Sequence, residues 1–189
     1  MNKANLAAIR AAMARIIAPE QHVELRTIYP EGRVISTIFS DVEELVAAAA
    51  RASDNKAKGV YFTPNPIHPD RAQKLQRTRK AAKDNDIGSI RWLLLDFDWE
   101  RRPKPSSATK QEKRAAELVR DDVEGFLSSL GWGDPLRGDS GNGYHLMYQV
   151  ENASPELVKA ILNTLDDLYS AGGVVIDTKV GNPSRIWKV

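Results

Sequence analysis

The sequence contains no cysteine. That excludes disulfides and thiolate-bound zinc or iron–sulfur centres, and it fits a cytoplasmic protein. Only three histidines occur, His22, His68 and His145, too scattered to build a His-rich metal site. No apolar run approaches the length of a bilayer span. The N-terminus carries Arg10 and Arg15 within an amphipathic pattern and lacks the apolar core of a signal peptide. There is no internal repeat and no long linker, and neither sign of charge dominates: 27 Lys and Arg face 25 Asp and Glu.

What is present is an ordinary soluble composition. The 189 residues are 42% hydrophobic and 28% charged, enough for one sizeable domain or two small fused modules. Charge is nevertheless uneven. Arg71, Lys74, Arg77, Arg79, Lys80 and Lys83 fall within thirteen residues without an intervening acid. Arg101, Arg102, Lys104, Lys110, Lys113 and Arg114 form a second basic stretch. Such clusters suit a phosphate backbone. On a helix the first would spread around the axis, as a solvated helix does, so the second is the better nucleic-acid candidate.

Periodicity organises the chain into alternating elements. Residues 4–17 place Leu6, Ile9, Met13, Ile16 and Ile17 on one helical face. Residues 23–28 and 34–39 are expected as paired strands, and the run from Ser40 to Glu43 as a capping box opening a helix to about Ala52. A strand over 59–63 stops at Pro64, and 66–86 is basic and partly helical. From about residue 90 the order becomes strand, helix, strand, strand, helix, strand. The first helix spans 110–130 with Ala115, Leu118, Val119, Phe126 and Leu127 inward. The second follows Ser154-Pro155 with Leu157, Val158, Ile161, Leu162, Leu165 and Leu168 on one stripe. The reading is α+β: an N-terminal α/β module over about 1–88, packed on an RRM-like βαββαβ module over about 89–189.

Three stretches carry candidate chemistry. Trp92-Leu-Leu-Leu-Asp-Phe-Asp-Trp99 is an apolar run without Gly or Pro, expected as a buried strand. Side chains on a strand alternate, so Asp96 and Asp98 share one face while Leu95, Phe97 and Trp99 take the other. Paired carboxylates repel, and a hard cation such as Mg²⁺ or Mn²⁺ relieves that repulsion. A solvated strand end, or pairing with Arg101 and Arg102, satisfies the same pattern. Asp177 ends the β-branched run 174–176 between turn signals, where a lone Asp is more often a turn or cap residue. In the third stretch, 138–143, three glycines accompany Ser140 and Asn142 before alternation resumes at Tyr144-His145. Glycine amides can approach an anion closely and form a nest, and Ser140, Asn142 and His145 add side-chain donors. An ordinary hairpin turn with a half-buried His has the same signature.

Together these residues resemble the archaeo-eukaryotic primase superfamily, in particular the primase-polymerases of phages and plasmids. The resemblance runs through Tyr61-Phe-Thr-Pro-Asn65, Leu94-Leu-Asp-Phe-Asp98, Ser140-Gly-Asn-Gly-Tyr-His145, and Asp177 with Asn182-Pro-Ser-Arg185, in that order over roughly 20–189. It implies a single primase-polymerase catalytic domain over 1–189. In such a core Asp96, Asp98 and Asp177 are catalytic and hold two Mg²⁺ or Mn²⁺ ions. Ser140, Gly141, Asn142, Gly143 and His145 bind the triphosphate, with His145 also counted as catalytic. Asn182 and Arg185 contact the nucleotide, and Asp139 is an auxiliary ligand. The implied activity is template-directed nucleotidyl transfer from dNTPs or NTPs in phage or plasmid DNA replication, in the cytoplasm of a bacterial host. The implied partners are single-stranded DNA template, primer, and a helicase or C-terminal accessory domain outside this chain, with no membrane involved. A metal-dependent nuclease and a non-catalytic single-stranded-DNA-binding replication module are the alternatives.

Overall fold

A computed structural model of the chain describes residues 3–100 and 107–189. Arg101, Arg102 and Lys104, three of the second basic stretch, lie outside the described residues. The chain divides into two compact units, Met1–Ser89 with Pro183–Val189, and Ile90–Asn182. The sequence reading draws its modules at about 1–88 and about 89–189; in the structure residues 183–189 fall in the first unit. Their only strand signal is two residues long, too short for periodicity to reveal.

In the first unit, strands β1 (Val23–Ile28), β2 (Val34–Phe39), β3 (Gly59–Phe62) and β8 (Trp187–Lys188) form an antiparallel sheet in the order β2-β1-β3-β8. Helix α1 (Lys3–Ile16) packs on α2 (Val42–Asp54), which buries Leu45, Val46, Ala49 and Ala52. The cap of α2 is Asp41, not Ser40: its side chain accepts from the Glu44 amide at 2.8 Å, so the helix starts one residue later than expected. Helix α3 (Pro69–Thr78) buries Ala72 and Leu75 in a small core with Ile38, Ile67 and Ala82.

A buried ion pair fastens the segment after α3. The Glu24 side chain is fully buried and the Arg26 side chain is 18% exposed. The guanidinium donates to both carboxylate oxygens, Nε to Oε1 at 2.7 Å and Nη2 to Oε2 at 2.8 Å. Glu24 Oε2 also accepts from the Ala82 amide at 3.0 Å, and Arg26 donates to the Ala82 carbonyl at 3.3 Å. Bidentate geometry with every buried acceptor engaged is what such a pair needs to offset its desolvation.

The second unit follows the βαββαβ order: β4 (Ile90–Trp99), α4 (Lys110–Ser129), β5 (Leu136–Asp139), β6 (Tyr144–Ala153), α5 (Pro155–Tyr169) and β7 (Val174–Ile176). Its strands are antiparallel in the order β5-β6-β4-β7. A short 3-10 helix, Thr178–Gly181, follows β7. Alternation along β4 sends Leu93, Leu95 and Phe97, none measurably exposed, into the core with Leu146, Val123, Leu162 and Ile176. Helix α4 starts from a full capping box, Thr109 with Glu112. Its inward residues are Ala116, Val123 and Leu127, a face turned from the one expected, since Leu118 is 50% exposed. Helix α5 buries Val158, Leu162 and Leu165 but leaves Leu157 and Leu168 outside, a narrower stripe than periodicity implied. No helix among the described residues is long and apolar enough to cross a membrane.

Glu24→Gln removes one partner of the buried pair and should cost roughly 3–5 kcal/mol in a denaturant titration. In the second unit Tyr148 is buried, and its hydroxyl finds no hydrogen-bond partner among the described residues. Burial, then the Glu124 carboxylate, push its pKa up from 10.0 to about 12. The fold therefore favours the protonated phenol. That contribution is complete below pH 10.0 and is lost as pH rises toward about 12. Tyr148→Phe should remove this alkaline loss and leave stability at pH 7 unchanged or higher, as read from melting temperature against pH.

Candidate active site

The site is a consequence of strand register in the second unit. Asp96 of β4 lies opposite His145 of β6. On the other side, the Asp177 amide donates to the Asp96 carbonyl at 2.9 Å, continuing the β4–β7 ladder past Phe97 and Ile176. Residues directly opposite in an antiparallel ladder project to the same face. His145 and Asp96 therefore form a row on the face opposite the one bearing Leu95 and Phe97, and Asp177, just beyond β7, continues it through its backbone. Asp98 sits two residues along on that face, opposite Val175.

The contacts within the row are specific. His145 Nε2 is 3.0 Å from Asp96 Oδ1, with side chains only 20% and 17% exposed. The Asp96 oxygen is buried and meets the imidazole without hydrogen-bond alignment. Asp98 Oδ1 is buried as well. Asp177 caps the 3-10 helix, its Oδ1 accepting from the Lys179 amide at 2.9 Å. The cap reading of Asp177 thus holds in the structure, alongside its place in the row. Among the described residues, no three His, Asp or Glu side chains converge as a ready-made metal cluster. The donor set nonetheless suits a hard divalent cation in type: Asp96 and Asp98 share one face, each with a buried oxygen, and Asp177 adjoins Asp96 through its backbone. Cation binding there would require Asp96 to exchange the imidazole for metal and the side chains to draw together.

The Gly-rich loop is braced by its own side chains. Ser140 Oγ accepts from the Gly143 amide at 2.8 Å, and the Ser140 amide donates to the Gly143 carbonyl at 3.1 Å. Asp139 Oδ1 accepts from the Gly141 amide at 2.7 Å. Two of the amides expected to cradle an anion are thus already donated inside the loop. Asn142 Oδ1 accepts from the Ala108 amide at 3.1 Å, tying the loop to the start of α4.

Asp139 is not an auxiliary ligand of the row. The pairing Asp139↔Tyr144 turns it to the helix-covered face, where Lys113 Nζ donates to it at 2.7 and 2.8 Å. The Lys113 ammonium, then the Gly141 amide, hold its carboxyl below the usual range. Lys113 Nζ and the Arg120 guanidinium also stand 5.4 and 4.5 Å from the centre of the Tyr144 ring. Helix α4 thereby grips both ends of the loop. Sequence reasoning missed this, because Lys113 looked like one of several free cations. Arg114 is likewise engaged, by Glu117.

Asn182 ends the second unit as the cap after the 3-10 helix. Arg185 belongs to the first unit. There, Asn65 Nδ2 donates to the Pro183 carbonyl at 3.1 Å, and Asp84 Oδ1 accepts from the Ser184 amide and hydroxyl at 3.0 and 2.7 Å. Thr63 Oγ1 accepts from the Glu24 amide at 2.9 Å. The 61–65 motif therefore works as scaffold, holding the backbone that leads to Arg185.

No protein-family model matches the chain, and no curated protein matches it in sequence. Among solved structures it resembles the polymerase domain of ligase D from Mycobacterium tuberculosis, determined in complex with DNA. The likeness covers 100% of this chain and 75% of that one, with a TM-score of 0.54 and 15% sequence identity. At that identity the likeness is one of fold alone, which in this chain is mixed α+β with two antiparallel four-stranded sheets.

Gly143 tests the site's geometry. A Cβ there would overlap the Phe97 carbonyl and the Asp98 carboxylate. Gly143→Ala should therefore displace the start of β6 and cost about 1–3 kcal/mol in thermal unfolding. Gly138→Ala, whose Cβ would meet His145 Cβ at an ordinary 3.5 Å, should cost less than half of that.

Proposed function

We propose that the chain is the catalytic core of a DNA primase-polymerase, joining nucleotides from dNTPs or NTPs to a 3′ end under the direction of a template. The observation that carries this reading is His145 against Asp96, with Asp98 on the same face of the second unit's sheet and Asp177 joined to Asp96 through the backbone. The polymerase-domain fold supports it independently. In the reaction the 3′ oxygen attacks the α-phosphorus, the new P–O bond forms, and the α–β phosphoanhydride bond breaks to release pyrophosphate.

Asp96, Asp98 and Asp177 are the residues that would hold divalent cations, Mg²⁺ or Mn²⁺. When bound, such ions lower the pKa of the attacking hydroxyl and neutralise the leaving pyrophosphate. The remaining work falls to the chain's own donors. His145 exchanges its contact with Asp96 for a phosphate oxygen, so the imidazole serves as the carboxylate's counter-group until nucleotide arrives. The Ser140 hydroxyl accepts from Gly143 N–H and still has one proton to donate to phosphate. The loop backbone is already braced, so the ordering left on binding falls to the side chains that must draw together. The host, a phage or plasmid origin, and a separate helicase or accessory domain remain part of this proposal on the sequence resemblance alone.

The test is incorporation on primed and unprimed single-stranded DNA, with dNTPs or NTPs and with Mg²⁺ or Mn²⁺. Asp96→Asn with Asp98→Asn should lower primed extension by at least about a thousandfold while the protein stays folded, since such sites supply several kcal/mol of transition-state stabilisation. Near-normal extension by the double variant, or metal-dependent cleavage of the DNA without incorporation by the parent protein, would overturn the reading.

A further inference from the structure

The first basic cluster is not absorbed by the site. Arg71, Lys74, Arg77, Arg79, Lys80 and Lys83 are all exposed or partly so, and none forms an ion pair among the described residues. The expectation that these cations would encircle a helix is not met. Helix α3 ends at Thr78, and it buries Ala72 and Leu75. At about 100° per residue, Arg71, Lys74 and Arg77 then span roughly 120° of the outward side. Arg79 follows in a left-handed turn (φ 53°) that stops the helix, and Lys80 and Lys83 extend the cluster along non-helical chain.

This is a firm platform. The Ser36 hydroxyl donates to the Lys80 carbonyl at 3.2 Å, the Ile38 amide donates to Gln76 Oε1 at 2.8 Å, and the buried Glu24–Arg26 pair grips both backbone groups of Ala82. Asp70 lies in the first turn of α3, Asp86 accepts from the Lys83 amide at 3.0 Å, and the Glu24 carboxylate at Ala82 is buried against Arg26. The net charge of the whole chain is only +2, so these six cations leave the remainder net negative.

We infer that α3 and the segment to Lys83 form a docking surface for the phosphate backbone of double-stranded DNA, such as the paired stem of a primed template. The inference deepens the polymerase reading and rests on it for the choice of DNA. Exposed Arg and Lys with Gln73 supply phosphate donors. From residue 64 to 88 there is no Phe, Tyr or Trp on which an unpaired base could stack, which is what a single-strand platform needs. The surface thus fits a partner that presents phosphates and hides its bases, and it binds without regard to sequence.

The test uses the full chain without nucleotide or metal, and fluorescently labelled blunt duplex and single-stranded DNA of equal length. Affinity is measured by anisotropy at several salt concentrations. The variant Arg71→Gln, Lys74→Gln, Arg77→Gln and Lys80→Gln should bind duplex about tenfold or more weakly near 50 mM salt. Its plot of log affinity against log salt should flatten by roughly 0.9 for each phosphate that is no longer neutralised. Arg71→Lys with Arg77→Lys should keep the parent's salt slope. A control removing charge elsewhere, Lys56→Gln, Lys58→Gln and Lys159→Gln, should change affinity less than twofold. Unchanged duplex binding by the fourfold variant, a loss confined to single strands, or an equal loss in the control overturns the inference. Failure of the parent to incorporate nucleotides would sink the polymerase reading while leaving this binding comparison intact.

Discussion

The register of β4 between β6 and β7 governs the rest. Leu93, Leu95 and Phe97 are sealed in the core, and the period of two forces Asp96 and Asp98 to the opposite side. A slip of one residue would drive two carboxylates among Leu146, Leu162 and Ile176, at a desolvation cost that no neighbour could offset. The apolar core therefore selects an alignment in which Asp96, Asp98 and His145 share a side. Folding energy and site geometry are one requirement expressed on two faces of a strand.

That arrangement carries a tension. Ionised carboxylates brought together repel, and here each acid has its own local contact: an imidazole against Asp96, and a helix cap made by Asp177. The loop follows the same logic. Its hydrogen bonds run largely inward, from Gly143 to Ser140 and from Gly141 to Asp139. The glycines serve chain packing at Gly143, where only a hydrogen atom fits against the Phe97 carbonyl, as well as any contact with an anion.

Much of this is legible in the sequence because periodicity is strong where burial is two-sided. β4, the α5 stripe and the βαββαβ order all follow from apolar spacing. What stays hidden involves partners distant in sequence or signals of one or two residues. The cap moves from Ser40 to Asp41 because both are good capping residues and only backbone conformation chooses between them. The buried face of α4 eludes periodicity because Ala115, Leu118 and Val119 make as good a stripe as Ala116, Val123 and Leu127 until the sheet is in place. Lys113 and Asp139 are 26 residues apart, and nothing local announces their pairing. Glu24 and Arg26 alternate like a solvated strand face, yet they are the buried clasp of the first unit.

The last strand has an implication for how the protein is made. Trp187 pairs with Phe62, and Lys188 with Tyr61. A ribosome delivers Trp187 only after the whole of Ile90–Asn182 has emerged, so the sheet begun first is the one finished last. Until then β3 keeps an open edge, ready to accept a strand from a neighbouring nascent chain. The second unit, whose strands all come from one continuous stretch, faces no such wait.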